Sequence, residues 1–292
     1  MKKTLLLLAA ILLTAALTSC SSAPKRTMQI NTIYKNVTTT LETANSAMIN
    51  GNYEQAENLL GSAYQSAMSI DNYDLLTTVC LSYVSLYLSF EQPDTAKANL
   101  FMEEAKFCAA YANNQVQQES LCTLSQIRLE LAQGNTEYTK YISQLDTAQK
   151  SLKANAYNDG LFASVKGDVY RAKKDYVNAE FSYSQAAALF TKNRYLGEIG
   201  ITWYKLAQIR SLAGNKKSAL EAIQNAIKYD RDSENSIALA TDYYAMGKIL
   251  TKGTPSATEL SQANYCYNHS AQIFEAIGMK AQAKRSLEEV RN

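Results

Sequence analysis

Turn signals recur along this chain at intervals of roughly 40 residues. They fall at Gly51-Asn52-Tyr53, Gln92-Pro93-Asp94, Gly134-Asn135, Lys174-Asp175-Tyr176, Gly214-Asn215-Lys216 and Gly253-Thr254-Pro255. Such a period marks a stacked array, because a single unit of this size cannot bury its apolar face alone and its neighbours must complete the core. Both sides of each turn carry a helical pattern. Around Gly214, for example, Trp203, Leu206, Ala207 and Ile209 precede the turn, and Ala219, Leu220, Ala222, Ile223, Ala226 and Ile227 follow it. Three- and four-residue steps place these side chains on one face of each helix. Small Ala219 and Ala226 let the paired helices approach, while Trp203, Leu206 and Ile223 fill the space between them. Gly214 ends the first helix because glycine accepts the left-handed conformation that side chains resist.

The series Trp203, Leu206, Ala207, Gly214, Ala219, Ile223, Ala226 resembles the signature of the tetratricopeptide repeat family in spacing and type. Gly167, Tyr170, Asp175, Tyr176, Ala179, Tyr183, Ala186 form a second match, and Ala44, Gly51, Tyr53, Ala56, Leu60, Ala63 a third. Units near Pro93 and Gly134 are degenerate. The last unit, with Tyr243, Met246, Gly247, Ala263 and Tyr267, has extra residues between its helices. The period also exceeds the roughly 34 residues usual for the family. The resemblance implies an all-α fold over residues 36–292: a right-handed α-solenoid of about six helix hairpins, closed by a capping helix over Lys280 to Val290. It further implies that the first helix of each hairpin lines a concave groove. Carried over residue by residue, the groove-facing candidates are Asp168, Arg171, Tyr204, Gln208, Tyr244 and Lys248. Cations, amides and phenols of this kind grip extended segments of a partner protein. Many of the 20 tyrosines, Tyr53, Tyr170, Tyr176 and Tyr183 among them, stand where the repeat itself uses an aromatic for packing.

The N-terminus carries a separate message. A basic start at Lys2 and Lys3, an apolar run from Leu5 to Leu17 and small residues before Cys20 read as a secretory signal, too short to span a membrane. Leu17-Thr18-Ser19-Cys20 resembles the lipobox of bacterial lipoproteins. That resemblance implies a signal peptide over 1–19, cleavage before Cys20 and acylation (diacylglyceryl, palmitate-type chains) at its sulfur and its new amine. Two or three chains give stable anchoring, since each buried methylene contributes only about 0.8 kcal/mol. Residues 20–35 are polar and read as a tether holding the body near the bilayer. The expected location is the cell envelope, with the periplasmic face of the outer membrane favoured over the inner membrane because Ser21, not Asp, follows the cysteine.

Charge and composition then exclude function classes. The chain has 29 Lys+Arg and 27 Asp+Glu. Lys2 and Lys3 leave with the signal, so the mature chain is neutral and lacks the basic excess of a nucleic-acid binder. The only histidine, His269, lies three residues from Cys266 on a packing helix with no third group to orient it, a poor start for nucleophilic catalysis. Metal-ligand spacings and phosphate loops are absent, so no cofactor is expected. Doublets such as Glu103-Glu104 are solvated faces. Cys80, Cys108 and Cys122 fall in consecutive helices, where one disulfide is open to them in an oxidising compartment, although helix interfaces seldom meet its narrow geometry.

Two function classes remain. One is a membrane-anchored scaffold or assembly adaptor for another envelope protein, without catalysis. The other is an accessory subunit for ligand uptake, docking a periplasmic solute-binding protein, which calls for a deep and partly apolar cavity. Self-association into a homo-oligomer through the terminal helices is compatible with the pattern, and no residue dictates it.

Overall fold

The computed structural model describes residues 30–153 and 155–291. Among them are thirteen α-helices and no strand: α1 (Thr32–Ile49), α2 (Tyr53–Met68), α3 (Tyr73–Leu88), α4 (Thr95–Tyr111), α5 (Gln115–Ala132), α6 (Tyr138–Ser151), α7 (Ala156–Ala172), α8 (Tyr176–Asn193), α9 (Leu196–Leu212), α10 (Lys216–Asp232), α11 (Ser236–Leu250), α12 (Ala257–Ala276) and α13 (Lys280–Glu288). They pair as six hairpins, α1–α2 to α11–α12, with α13 capping the last, as the repeat pattern requires. The degenerate units at Pro93 and Gly134 keep the hairpin. The boundary expected at Asn36 falls inside α1, which starts at Thr32. Cys20, the signal segment and most of the tether lie outside the described residues.

Short polar residues start the helices. Asp175, Asn215 and Asn235 each accept a hydrogen bond from a backbone N–H three residues on, and Ser256 forms a reciprocal capping box with Glu259. Left-handed residues end them. Gly51, Gly134, Gly214 and Gly253 fill that role inside four hairpins, but the fourth hairpin, α7–α8, uses Lys174 at φ 64°, where a side chain is strained.

Close approach within hairpins is set by small residues facing large ones. A Cβ on Gly167 would lie 2.4 Å from the Tyr183 ring, one on Gly160 2.4 Å from Phe190, and one on Gly247 2.5 Å from Tyr267. In the unit between, the same register positions hold Ala207 and Ile223, both fully buried in one core cluster. Total volume across the interface is thus held while its members change, as close packing demands. First helices also stack on first helices, α3 on α5, α5 on α7 and α9 on α11.

The superhelix comes round until its ends meet. Gly51, in the first turn, sits against Ile237 of α11 and Met279 before α13. Glu91, in the α3–α4 turn, pairs with Arg285 of α13 and accepts a 2.9 Å hydrogen bond from Gln282. The concave side is therefore a lumen, not an open groove.

Candidate functional site

The lumen holds a cavity of about 720 Å³ whose wall takes residues from every first helix, α1, α3, α5, α7, α9 and α11. A second cavity of about 560 Å³ lies under the closing contact, between Tyr53, Phe90, Tyr244, Phe274 and Met279. Tyr204 lines both.

Along the α7 and α9 part of the wall the charges are paired. Lys205 donates to Asp168 at 2.8 Å and to the Ser164 hydroxyl at 3.0 Å, and the Tyr183 phenol donates to the other Asp168 oxygen at 2.7 Å. Burial by itself would push the Asp168 carboxyl up, but Lys205 first, then Tyr183 and the Arg171 charge, hold it below the ordinary range. Burial also draws the Lys205 ammonium down, in spite of its partner. Nearer the start of the same two helices Tyr157 donates to Glu198 at 2.9 Å.

The α10–α11 part of the wall is different. Asp230 and Asp242 are fully buried, at 0% and 1% exposure, and their four carboxyl oxygens receive no donor from the rest of the described chain. The two groups stand on the consecutive helices α10 and α11, and each acts on the other's titration. Burial, reinforced at Asp242 by the neighbouring carboxyl, pushes both above the ordinary carboxylate range, so the pair retains a proton. Gly200 makes the room: a Cβ there would lie 2.2 Å from an Asp230 oxygen.

The six residues expected in the groove separate into three groups. Asp168 and Tyr204 line the main cavity, and Gln208 donates to the Tyr204 phenol at 2.8 Å. Arg171 is exposed beside Asp168. Tyr244 and Lys248 are held by the C-terminal end: both donate to Glu289, at 3.1 and 2.9 Å, and the Lys248 bond chiefly keeps that carboxyl below its ordinary value. They form a latch between α11 and the cap. Sequence reasoning missed Lys205, Asp230 and Asp242. The signal was present in the repeat register: Asp230 stands one period after Phe190, and Asp242 two periods after Phe162, both buried aromatics.

The remaining reactive groups are packing groups. Cys80, Cys108, Cys122 and Cys266 are buried free thiols, and the Cys108 thiol donates to Glu104 at 3.8 Å. Burial pushes the Cys266 thiol up to about 11, and His269 sits edge-on to Tyr243 at 4.5 Å and stacked on Tyr265 at 5.6 Å. Among the described residues no three His, Cys, Asp or Glu side chains converge as a metal site, and no helix is long and apolar enough to cross a membrane.

Comparison with protein-family models and with curated proteins finds no match. Solved structures do match in architecture. A Rap protein complexed with competence and sporulation factor superposes with a TM-score of 0.58 at 18% identity, over 87% of this chain and 70% of that one. Aspartyl phosphate phosphatase F from Bacillus subtilis gives 0.53 at 14%, over 89% and 70%. A signal transduction ATPase with a tetratricopeptide repeat sensor, from Pyrococcus horikoshii, gives 0.52 at 15%, over 88% and 41%. Six hairpins in repeat register, small-to-large packing inside each, and these superpositions agree: in fold, this chain is a tetratricopeptide-like α-solenoid.

Proposed function

We propose that this protein is a lipid-anchored interaction protein of the bacterial cell envelope, which holds a segment of another envelope protein in its lumen and catalyses nothing. The observation that carries the reading is the lumen wall, to which all six first helices contribute and on which α7, α9, α10 and α11 set Asp168, Glu198, Tyr204, Lys205, Asp230 and Asp242 around one cavity. Polar groups spaced along an otherwise apolar wall fix the register of an extended segment, while the wall supplies contact area. A Rap protein of like fold holds competence and sporulation factor, which supports a bound factor in general and names none for this chain. Anchoring rests on Leu17-Thr18-Ser19-Cys20 and places the body at a membrane, with the periplasmic face of the outer membrane favoured.

Crosslinking in the native membrane followed by mass spectrometry tests the binding reading. A reproducible envelope partner is expected, and its recovery should fall about tenfold on charge reversal of Arg171 or Lys205, the loss of one charge-assisted contact. Recovery unchanged by both would place the contact elsewhere. The anchor has its own test. Cys20→Ala should move the protein from the membrane to the soluble fraction, and a soluble wild type would remove the lipoprotein reading.

The cavity itself favours a second reading. Its volume of about 720 Å³ falls within the roughly 300–1,000 Å³ of sites for small molecules, as an accessory subunit for ligand uptake requires. In that case a solute-binding protein docks at the rim and the lumen shares its ligand.

A further inference from the structure

We propose that the Asp230–Asp242 pair is the receptor for a cationic group, a lysine or arginine side chain or a terminal ammonium, carried into the lumen by the bound segment. The inference rests on the binding reading above and specifies the chemistry of its ligand.

Three observations carry it. The fold does not need acids at these positions, since the same repeat sites hold Phe190 and Phe162 earlier in the chain, both fully buried. Two buried carboxyls that receive no donor from any other described residue weaken the folded state, because retaining a proton offsets their desolvation only in part. Groups of this kind call for an explanation beyond packing. Lastly, the chain supplies no counter-charge. Lys205 is engaged by Asp168 and Ser164, Arg210 by Glu180, Lys216 by Glu259, and Arg231 by the Tyr243 phenol. Arg128, also on the lumen wall, acts on Lys205 and Tyr157 rather than on the aspartates.

Both residues belong to the wall of the cavity lined by the first helices, but their oxygens lie just behind its surface, so a cation gains both carboxyls when those two side chains turn toward the lumen. Binding then displaces the proton that the pair retains: the proton leaves to solvent, both carboxylates ionise, and the ligand's N–H groups donate to them. On the α5–α9 part of the same wall Lys205 and Arg128 stand with Asp168 and Glu198, so the charges balance and offer no second site for a cation. The preferred segment thus has one isolated basic group.

The test uses the folded chain from residue 20 onward with Cys20→Ser and three blocked pentapeptides, acetyl-Ala-Ala-X-Ala-Ala-amide, in which X is lysine, its uncharged isostere norleucine, or glutamate. Calorimetric titration should show the lysine peptide binding about tenfold or more tightly than norleucine, as hydrogen bonds to a charged group imply, with glutamate weakest. The heat should vary with the ionisation enthalpy of the buffer, reporting proton release. Asp230→Asn with Asp242→Asn, which keeps size and removes charge, should abolish both the preference and the buffer dependence, while circular dichroism shows that the variant is folded. Equal binding of lysine and norleucine peptides would overturn the cation inference and leave the lumen reading standing. A lysine preference that survives the double variant would also overturn it. No binding of any peptide would overturn both.

Discussion

Several single residues in this molecule are chosen against local preference, and two cases have a measurable consequence. Lys174 holds a left-handed conformation at the turn where four other hairpins use glycine. Lys174→Gly should therefore raise stability by about 0.5–1 kcal/mol, the strain of a side chain there less the extra freedom glycine has when unfolded. A thermal melt checks it, and a lowered midpoint would show that the lysine side chain contributes more than its backbone costs. Asp230 and Asp242 are the second case. Their folded pKa values are raised above the unfolded ones, so the contribution of the pair is fully present below the ordinary carboxylate range, near pH 4. It is lost as pH climbs through the raised values. The other charged groups on that cavity wall, Glu198, Asp168, Lys205 and Arg128, do not supply a donor to either carboxyl. Asp242→Asn should consequently melt higher than wild type at pH 8, by at least about 2–4 °C for each kcal/mol relieved, and the gap should shrink at pH 5. A gap that widens toward acid pH would contradict this assignment.

Helix pairs obey a volume rule that the hairpins share. Gly167 faces Tyr183 and Gly247 faces Tyr267, and Ala207 and Ile223 hold the same register positions in the unit between. An alanine normally favours a helix over glycine by about 1 kcal/mol, yet Gly167→Ala puts a methyl 2.4 Å from the Tyr183 ring. The clash should win, with a net loss of about 1–3 kcal/mol. Gly167→Ala combined with Tyr183→Ile recreates the pairing of the next unit and should recover part of that loss, even though it also removes the phenol that donates to Asp168. A denaturant titration of the two single variants and the double one measures the coupling. Additive losses would mean that the two side chains are not the contact that matters.

Ring closure belongs to the whole molecule. The ends are joined by Glu91 with Arg285 and Gln282, all at the surface, and such ion pairs contribute only about 0–1 kcal/mol. The closing contact is thus weak next to the hairpin cores, as the proposed binding of a segment in the lumen requires. Glu91→Arg should leave the melting temperature within about 2–4 °C of wild type, the shift that roughly 1 kcal/mol produces. It should also speed amide hydrogen exchange in α13 and around Gly51. Unchanged exchange there would mean that Ile237 and Met279, packed on Gly51, close the ring without help from the charges.

The sequence by itself determined the thirteen helices, their pairing and the cap, because periodicity, N-cap residues and left-handed glycines act within a few residues of one another and need no distant partner. It also placed Asp168 and Tyr204 on the concave side, since the repeat register decides which face of a helix turns inward. The acid pair was half legible: a carboxylate at a repeat position otherwise filled by phenylalanine is visible in the register, but not that Asp230 and Asp242 meet. Tertiary structure alone decided the lumen. How far the array curves depends on small packing differences added over six hairpins, such as Gly160 against Phe190 and Gly200 against Asp230, and no local pattern encodes their sum. For the same reason Tyr244 and Lys248, which face the groove side by register, are taken up by Glu289: only the packing of the cap brings that carboxylate to them.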